Sequence, residues 1–384
     1  MRARDLAPEL SKRTRECEER RSLPPETIAA FRDAGFLRLL RPARFGGYEV
    51  GLASLIEIVR EVGRACGSSA WCLALFATHN RLVGLFGEQA QREVFDTDVE
   101  APLAAVYAPG ATAMAVEAGS KGFRLSGRWQ FASGCDHAGW VALAARVPRQ
   151  PEGPIPDIRC LLVPAGEFRI DDTWFVSGLR GTGSKDVVVE EAFVPAHRAL
   201  SFLDLSRGTA PGLALNPSPL FRLPVVPLLA LVAAGAALGL AQAATESFRE
   251  RARARASQRA SSPSQIGQVA LAAALATIDA AALFLQRDVE DLAWRARSGE
   301  RLSAGSRARY LLDAAFVVAS CTRALDRQVA VSGAGALFDD CPLQRACRDL
   351  RAMSAHAALQ LEPAMERFGR IELGLPTDSP LLLI

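Results

Sequence analysis

The 384-residue chain has four histidines, no Cys-x-x-Cys pair and no glycine-rich nucleotide loop, and each shortage removes a class of chemistry. No two of His79, His137, His197 and His356 stand at the i, i+4 metal spacing, and none is at zinc-ligand spacing from two cysteines, so no metal site is expected. The eight cysteines (Cys17, Cys66, Cys72, Cys135, Cys160, Cys321, Cys341 and Cys347) are dispersed, which suits reduced thiols in a cytoplasmic protein. No Gly-x-Gly-x-x-Gly follows a strand and no Gly-Lys-Ser/Thr loop occurs, so nucleotide binding through those loops is unsupported; Gly-x-Ser-x-Gly is missing too. The N-terminal MRARDLAPELSKRTRECEER lacks the apolar core of a signal peptide. A surplus of one charge is also lacking. Lys plus Arg number 45 against 42 for Asp plus Glu, a net charge of +3, which argues against nucleic acid as a partner. The one basic cluster, Phe248 to Arg259, has the spacing of a solvated helix face.

What remains is an ordinary globular composition, 49% hydrophobic and 23% charged, at a length that suggests two or three domains. Residues 1–101 read as helical. Pro24 and Pro25 open one helix that Gly35 ends, Gly46 and Gly47 mark a turn, and Leu52 to Phe86 reads as two helices broken around Gly67-Ser68-Ser69. Residues 102–205 carry short β-branched or alternating runs (GFRLSGRWQF, WVALAARV, RCLLVPA, DVVVEEAFVP) between Gly, Pro and Asp turns, as in a small barrel or sandwich. Residues 206–384 return to helix. The uncharged run Leu223–Thr245 is long enough to cross a bilayer. It is Ala- and Gly-rich, starts with Pro224 and Pro227, and has neither aromatic belt nor basic flank, so it reads as the buried helix of a bundle rather than a membrane span. Leu271, Leu275, Ile278, Ala282, Leu285, Val289 and Leu292 form one bundle seam; Leu311, Ala315, Val318, Thr322, Leu325 and Val329 form another. A last helix is expected from about Pro342 to Phe368. No repeat of domain-building length is present.

Three polar groups stand out on residue type and surroundings. His356 sits in RAMSAHAALQ, placed mid-helix, where small neighbours leave space beside its ring. His79 lies on a largely apolar helix, and Ser133 stands where a strand meets a glycine turn. Each reads equally as a structural hydrogen-bonding group or as a participant in a site.

Four segments then occur in a telling order: PARFGGYEVG, GFRLSGRWQFASG, SGLRGTGSKDVVVEEAFVP and PLQRACRDLRAM. From about Leu23 to Gly374 the chain resembles the acyl-CoA dehydrogenase superfamily. The resemblance implies an α+β fold with an N-terminal α-helical domain, a central β-barrel and a C-terminal four-helix bundle. It also implies a homotetramer that binds flavin between the β domain, the bundle and a neighbouring subunit. Many dehydrogenases of this family take their base from a Glu after the Arg-Asp pair. Here that position is Ala357, preceded by His356. With FASGCDHAGW and LRGTGSKDVVVEE, this is similar to the group D two-component flavin-dependent monooxygenases, the group of the p-hydroxyphenylacetate hydroxylase oxygenase components. An acyl-CoA dehydrogenase with FAD and a displaced carboxylate is the alternative.

The monooxygenase resemblance implies a separate reductase that supplies FADH2 or FMNH2. It further implies reaction of that flavin with O2 at C4a, and transfer of one oxygen atom from the hydroperoxide to an aromatic or heteroatom-bearing small molecule. By motif position Ser133 approaches flavin N5, Trp129 and Phe131 line the ring, and Arg222 lies near the isoalloxazine. His79 and His356 are the active-site imidazoles. Ser184, Ser332 and Gly333 contact adenine or phosphate, Ser332 and Gly333 across a subunit boundary. Tyr107-Ala108-Pro109 departs from the Thr-Glu-Pro flavin loop of dehydrogenases, and His137, beside Cys135 and Asp136, is read as structural because three consecutive side chains on a strand end do not converge.

Overall fold

The computed structural model describes residues 2–96, 100, 102–109, 114–117, 122–147, 157–258 and 264–377; the boundary residue Ala101 and the basic Arg259 lie outside them. Six helices open the chain: α1 (Arg2–Lys12), α2 (Thr14–Arg20), α3 (Pro25–Asp33), α4 (Leu52–Ala65), α5 (Gly67–Val83) and α6 (Glu88–Phe95). Pro25 occupies the first turn of α3, where its missing N–H costs nothing, and Gly35 beyond its end takes φ 75°. The break between α4 and α5 falls at Cys66, whose backbone is extended, one residue before the expected glycine. All seventeen residues of α5 are buried.

Among the described residues eight strands follow: β1 (Leu103–Val106), β2 (Met114–Glu117), β3 (Gly122–Ala132), β4 (Trp140–Val147), β5 (Asp157–Pro164), β6 (Arg169–Asp171), β7 (Lys185–Pro195) and β8 (Ala199–Ser201). They form one sheet in the order β6-β7-β3-β2-β4-β5-β8, with β1 added parallel to β4. The expected barrel is therefore corrected to an open sheet among the described residues. Its two end strands, β6 and β8, are three residues each and do not pair with one another. Both faces are covered. On β4, Val141, Leu143, Ala145 and Val147 enter the sheet's own core with Leu125, Trp129, Leu161 and Val187, while Trp140, Ala142 and Ala144 pack towards the helices.

The remaining helices are α7 (Phe202–Arg207), α8 (Val225–Gln258), α9 (Gln265–Ser298), α10 (Ala304–Ala330), α11 (Pro342–Ser354) and α12 (Leu361–Glu372). The apolar stretch of α8 is 94% buried within the protein, as expected of a bundle helix. Its small residues have a use: α4 crosses α8 so closely that a Cβ on Gly239 would lie 2.0 Å from the Arg60 carbonyl oxygen, and one on Gly63 2.6 Å from that of Ala236. The α10 seam is buried at Leu311, Ala315, Val318 and Leu325. On α9 the seam holds from Ile278 through Leu292, but in its first turns Ala270 and Ala274 face inward while Leu275 stays exposed. The long terminal helix is corrected to two, α11 and α12. A helix running through would place Pro363 in its interior against the Leu359 carbonyl, whereas in the first turn of α12 that proline is tolerated. His356 is consequently in the turn, not mid-helix.

Replacing Gly239 with Ala forces the α4–α8 crossing apart. The variant is expected to lose about 1–3 kcal/mol of stability, read as a lowered midpoint in urea or thermal unfolding.

Candidate active site

The site is assembled where α5, the end of β3 and the turn before β7 meet. β3 pairs with β7 through two register shifts, one between Leu125 and Gly127 and a second between Trp129 and Ala132, where Phe131 adopts φ 68°. Gly134 follows at φ 73°, and any side chain there would strike the Phe76 ring of α5 at 2.4 Å. This turn brings Ser133 under Trp71, whose indole Nε1 donates to Ser133 Oγ at 3.1 Å. Ser133 Oγ is 2.7 Å from Ser184 Oγ, which is 2.6 Å from Thr182 Oγ1, and Thr182 Oγ1 lies 2.9 Å from the Leu179 carbonyl oxygen. Each hydroxyl has one proton, so the chain has two polarities, of which only the one with Thr182 donating to the Leu179 carbonyl keeps every bond. With Thr182 donating to Leu179, Ser133 donates to Ser184 and keeps a lone pair free. Reversed, Ser133 accepts from Ser184 and has a proton to offer. Leu179 can serve either state because its oxygen also accepts from Thr182 N and Trp174 Nε1.

The turn that carries these hydroxyls is held from α11. Asp349 Oδ1 accepts from Leu179 N at 2.6 Å, Arg348 Nη1 donates to Ser177 O, and Arg348 pairs with Glu18 at 2.9 Å. Burial raises the Asp349 carboxyl to about 7. Among the described residues no Asp or Glu side chain bonds to Ser133, His79 or His356, and Ala357 is exposed, so the base that an acyl-CoA dehydrogenase needs is not at these groups.

The two imidazoles are in opposite tautomers. His79 Nδ1 lies 3.0 Å from the Leu103 carbonyl oxygen; a carbonyl only accepts, so Nδ1 carries the proton and Nε2, buried and without a partner, is an acceptor. His356 Nδ1 accepts from Ala358 N at 3.3 Å, which places its proton on Nε2 as a donor. Burial pulls both rings down to about 4, so both are neutral at physiological pH, and protonation of His356 would weigh further against that of His79. The His356 ring meets the Trp71 ring edge-on at 5.4 Å, and the His79 ring meets Tyr107 in the same way at 5.7 Å.

The other expected residues are distributed differently. Ser184 is buried within the hydroxyl chain rather than presented to a phosphate. Trp129 and Phe131 do not share a wall, because the bulge separates them. Trp129 is fully buried in the sheet core with Nε1 donating to Ala144 O at 2.7 Å, while Phe131 is 65% exposed and edge-on to Trp174. Arg222 lines a cavity of about 460 Å³ with Phe221, Val225, Leu292 and Gly299, separate from the serine chain. Ser332 returns its hydroxyl to Gln328 O at 2.7 Å, and Gly333, at φ 67°, is open on its Cα side; Arg251 and Arg255 reach the same break through Gly335 O and Ser332 O. His137 is tied to Leu23 O at 2.9 Å, a structural contact. Trp71, Thr182 and Arg81 escaped the sequence reading. Trp71 and Arg81 lie on a helix that is buried all round, a property that no local pattern of residues reveals.

A serine hydroxyl beside an indole, an exposed aromatic at Phe131 and guanidiniums beside an open glycine break are, each in its own place, groups that suit contact with a flavin. Comparison with known proteins agrees. Residues 2–97 match the family model of the acyl-CoA dehydrogenase N-terminal domain, and residues 231–361 match that of an acyl-CoA dehydrogenase C-terminal domain. The chain is 36% identical to the flavin-dependent monooxygenase oxygenase subunit HsaA of Rhodococcus jostii RHA1, over 97% of this chain and 98% of that protein. It is 34% identical to the oxygenase component of the FADH2-dependent resorcinol hydroxylase of Rhizobium sp. MTP-10005, over 94% and 90%. The crystal structure of 3-HSA hydroxylase from Rhodococcus sp. RHA1 superposes with a TM-score of 0.93 at 35% identity, covering 99% of this chain and 97% of that one. The chain thus belongs to the acyl-CoA dehydrogenase family, in its branch of reduced-flavin-dependent monooxygenases that act as oxygenase components.

Proposed function

We propose that this oxygenase component hydroxylates an aromatic small molecule whose hydroxyl is held between His79 and His356, with reduced flavin delivered by a separate reductase. The observation that carries this reading is the pair of opposite tautomers. His79 Nε2 accepts the substrate O–H, His356 Nε2–H donates to the same oxygen, and the ring carbon beside it becomes more nucleophilic. The resorcinol hydroxylase among the relatives is named for a substrate of that kind. When bound, the flavin activates O2 and supplies the oxygen atom; the protein's residues position and enclose. Ser133 would stand at the N5 edge of a bound flavin, where its chain through Ser184 to Thr182 leaves its hydroxyl oxygen a lone pair for an N–H of the ring. Phe131 would flank the ring, Arg222 would contribute positive charge from its cavity, and Ser332 with Gly333 would hold the distal part of a flavin bound by a neighbouring subunit. Trp71 links the two halves, bonding Ser133 while its ring walls His356.

Chemically reduced FAD or FMN, supplied without any reductase under ¹⁸O2, is expected to give a phenol hydroxylated with one ¹⁸O. Bleaching of bound flavin by an acyl-CoA, with no labelled product from any phenol, would establish the dehydrogenase reading instead.

His356→Ala is expected to fold and still consume reduced flavin, with product per flavin falling about tenfold or more and peroxide rising to match. Because burial lowers both imidazoles from 6.5 to about 4, coupling should be level between pH 6 and 8. The sign for stability follows: the unfolded chain binds these protons first, so the folded state loses stability as pH falls from about 6.5 towards 4. A coupling limb centred near 6.5 that disappears in His79→Asn would refute neutral, buried imidazoles.

The proposal extends to a cytoplasmic homotetramer, without membrane or nucleic-acid partners, built from domains 1–101, 102–205 and 206–384. α9 supports the assembly: its apolar stretch is only 28% buried in one chain, with Ile266, Val269 and Leu283 more than half exposed. Sedimentation velocity is expected to give the mass of four chains, and Leu283→Arg to give smaller species; a wild-type monomer would exclude the assembly.

A further inference from the structure

The eight cysteines are dispersed along the chain, but three of them meet at one turn. Cys17 of α2 has its Sγ 3.6 Å from the Gly181 carbonyl oxygen, Cys72 of α5 lies 3.6 Å from that of Thr182, and Cys135, just after β3, lies 3.5 Å from that of Gly183. Three segments distant in sequence thus give one sulfur each to three successive carbonyls, and all three thiols are buried. This is the turn that carries Thr182 and Ser184, the hydroxyls behind Ser133. A carbonyl only accepts, so at Thr182 and Gly183 the S–H donates. Burial keeps both protons in place: it raises Cys72 well above the usual thiol range and Cys135 to about 12.

The choice of sulfur has a physical reason. Thr182 O already accepts from Gly134 N at 2.8 Å and Gly183 O from Lys185 N at 2.7 Å, so each carbonyl has one lone pair left. A thiol is a weak donor on a long bond, and it takes the second lone pair without displacing the first. A serine oxygen, on a shorter bond to Cβ, would stop short of it. Each carbonyl is then held from two sides and its peptide plane cannot tilt. The turn has no slack elsewhere: a Cβ on Gly181 would lie 2.0 Å from Cys17 Sγ, and one on Gly183, at φ 54°, 2.9 Å from Asp136 Oδ2. Leu179, at φ 51°, takes a left-handed conformation that a non-glycine residue keeps only where its surroundings hold it. Both ends of the hydroxyl chain are gripped by consecutive residues of α5, Ser133 by the Trp71 indole and Thr182 by the Cys72 thiol.

We propose that Cys72 and Cys135 are positioning residues for the flavin site: their thiols hold the Thr182 and Gly183 carbonyls so that Thr182 and Ser184 stay within reach of Ser133, whose remaining lone pair is thereby kept for an N–H of the ring. This rests on the placement of Ser133 at the N5 edge and says what maintains it. Reduced flavin carries a proton on N5 and oxidised flavin does not, so an oxygen fixed as acceptor there favours the reduced form. Where the turn loosens, Ser133 is free to rotate its proton towards the ring, and that preference falls.

The test compares the affinity of the full chain for oxidised and for chemically reduced FMN and FAD without oxygen, so that it is independent of turnover. Cys72→Ala and Cys135→Ala are each expected to lower the ratio of reduced to oxidised affinity about three- to tenfold, the loss falling on the reduced form. In a Ser133→Ala background neither should lower it further. Cys321→Ala, which removes the same sulfur from a fully buried place on α10, should leave the ratio unchanged. In the protein without flavin, the infrared difference between wild type and Cys72→Ala should show an S–H stretch below that of a free thiol. Folded thiol variants that keep the wild-type ratio overturn the proposal, and so does a Cys72 band at the free-thiol position. An effect undiminished by Ser133→Ala, or reproduced by Cys321→Ala, overturns it as well. Should Cys72→Ala not fold, Cys135→Ala carries both measurements. A ratio that Ser133→Ala leaves unchanged defeats the placement of Ser133 and the positioning with it, whereas a ratio that depends on Ser133 but not on the thiols defeats the positioning alone.

Discussion

Complete burial of α5 is the constraint on which the rest of the structure depends. A helix with no solvent-facing side must find a partner inside the protein for every polar side chain, and those partners lie in each of the surrounding units. Asn80 donates to Leu37 O among the first helices, His79 to Leu103 O at the start of β1, Trp71 to Ser133 at the end of β3, and Arg81 to the carbonyls before α8. The same bonds that satisfy the helix therefore join N-terminal helices, sheet and bundle. They also fix the ring orientations and tautomers on which the proposed chemistry relies. Stability and site geometry arise from one set of contacts.

A second device is the departure of β3 from regular pairing. The bulge after Trp129 ends the alternation and reverses which aromatic side chain faces out. Trp129 becomes a core residue, Phe131 a surface, and Ser133 is delivered beneath Trp71. The turn that carries Ser184 is locked separately, by the Asp349 carboxylate on the Leu179 amide. A buried carboxylate at that place has a positional task, in contrast to the proton-abstracting role carboxylates take in related dehydrogenases. The imidazoles stand beside Trp71 and Tyr107, His79 buried and His356 half-buried, and loss of hydration favours the neutral form of each.

Much of the fold was legible in the chain. The succession of helical, β and helical segments, the buried nature of the Leu223–Thr245 run and the α10 seam all follow from periodicity and composition. Errors occurred where a local pattern has two continuations. Alternation along strands does not reveal whether a sheet closes, and small residues around His356 read as helix although Pro363 compels a break. The start of α9 has the apolar spacing of a seam, yet in one chain Leu275 faces outward and Leu271 is only half-buried. Spacing records that a face is apolar; it does not record what covers it.

The sequence alone established the family through four ordered segments, the absence of a carboxylate at Ala357, and a charge balance unsuited to polyanions. Tertiary structure alone decided which nitrogen of each imidazole carries its proton, which aromatic residue is exposed and which is core, and that Arg81 is buried without a carboxylate partner among the described residues. The reason is physical. A tautomer, a hydroxyl chain or an uncompensated charge is a property of groups brought together from distant parts of the chain, Trp71 with Ser133 and Leu179 with Asp349, and no window of neighbouring residues contains both members of such a pair.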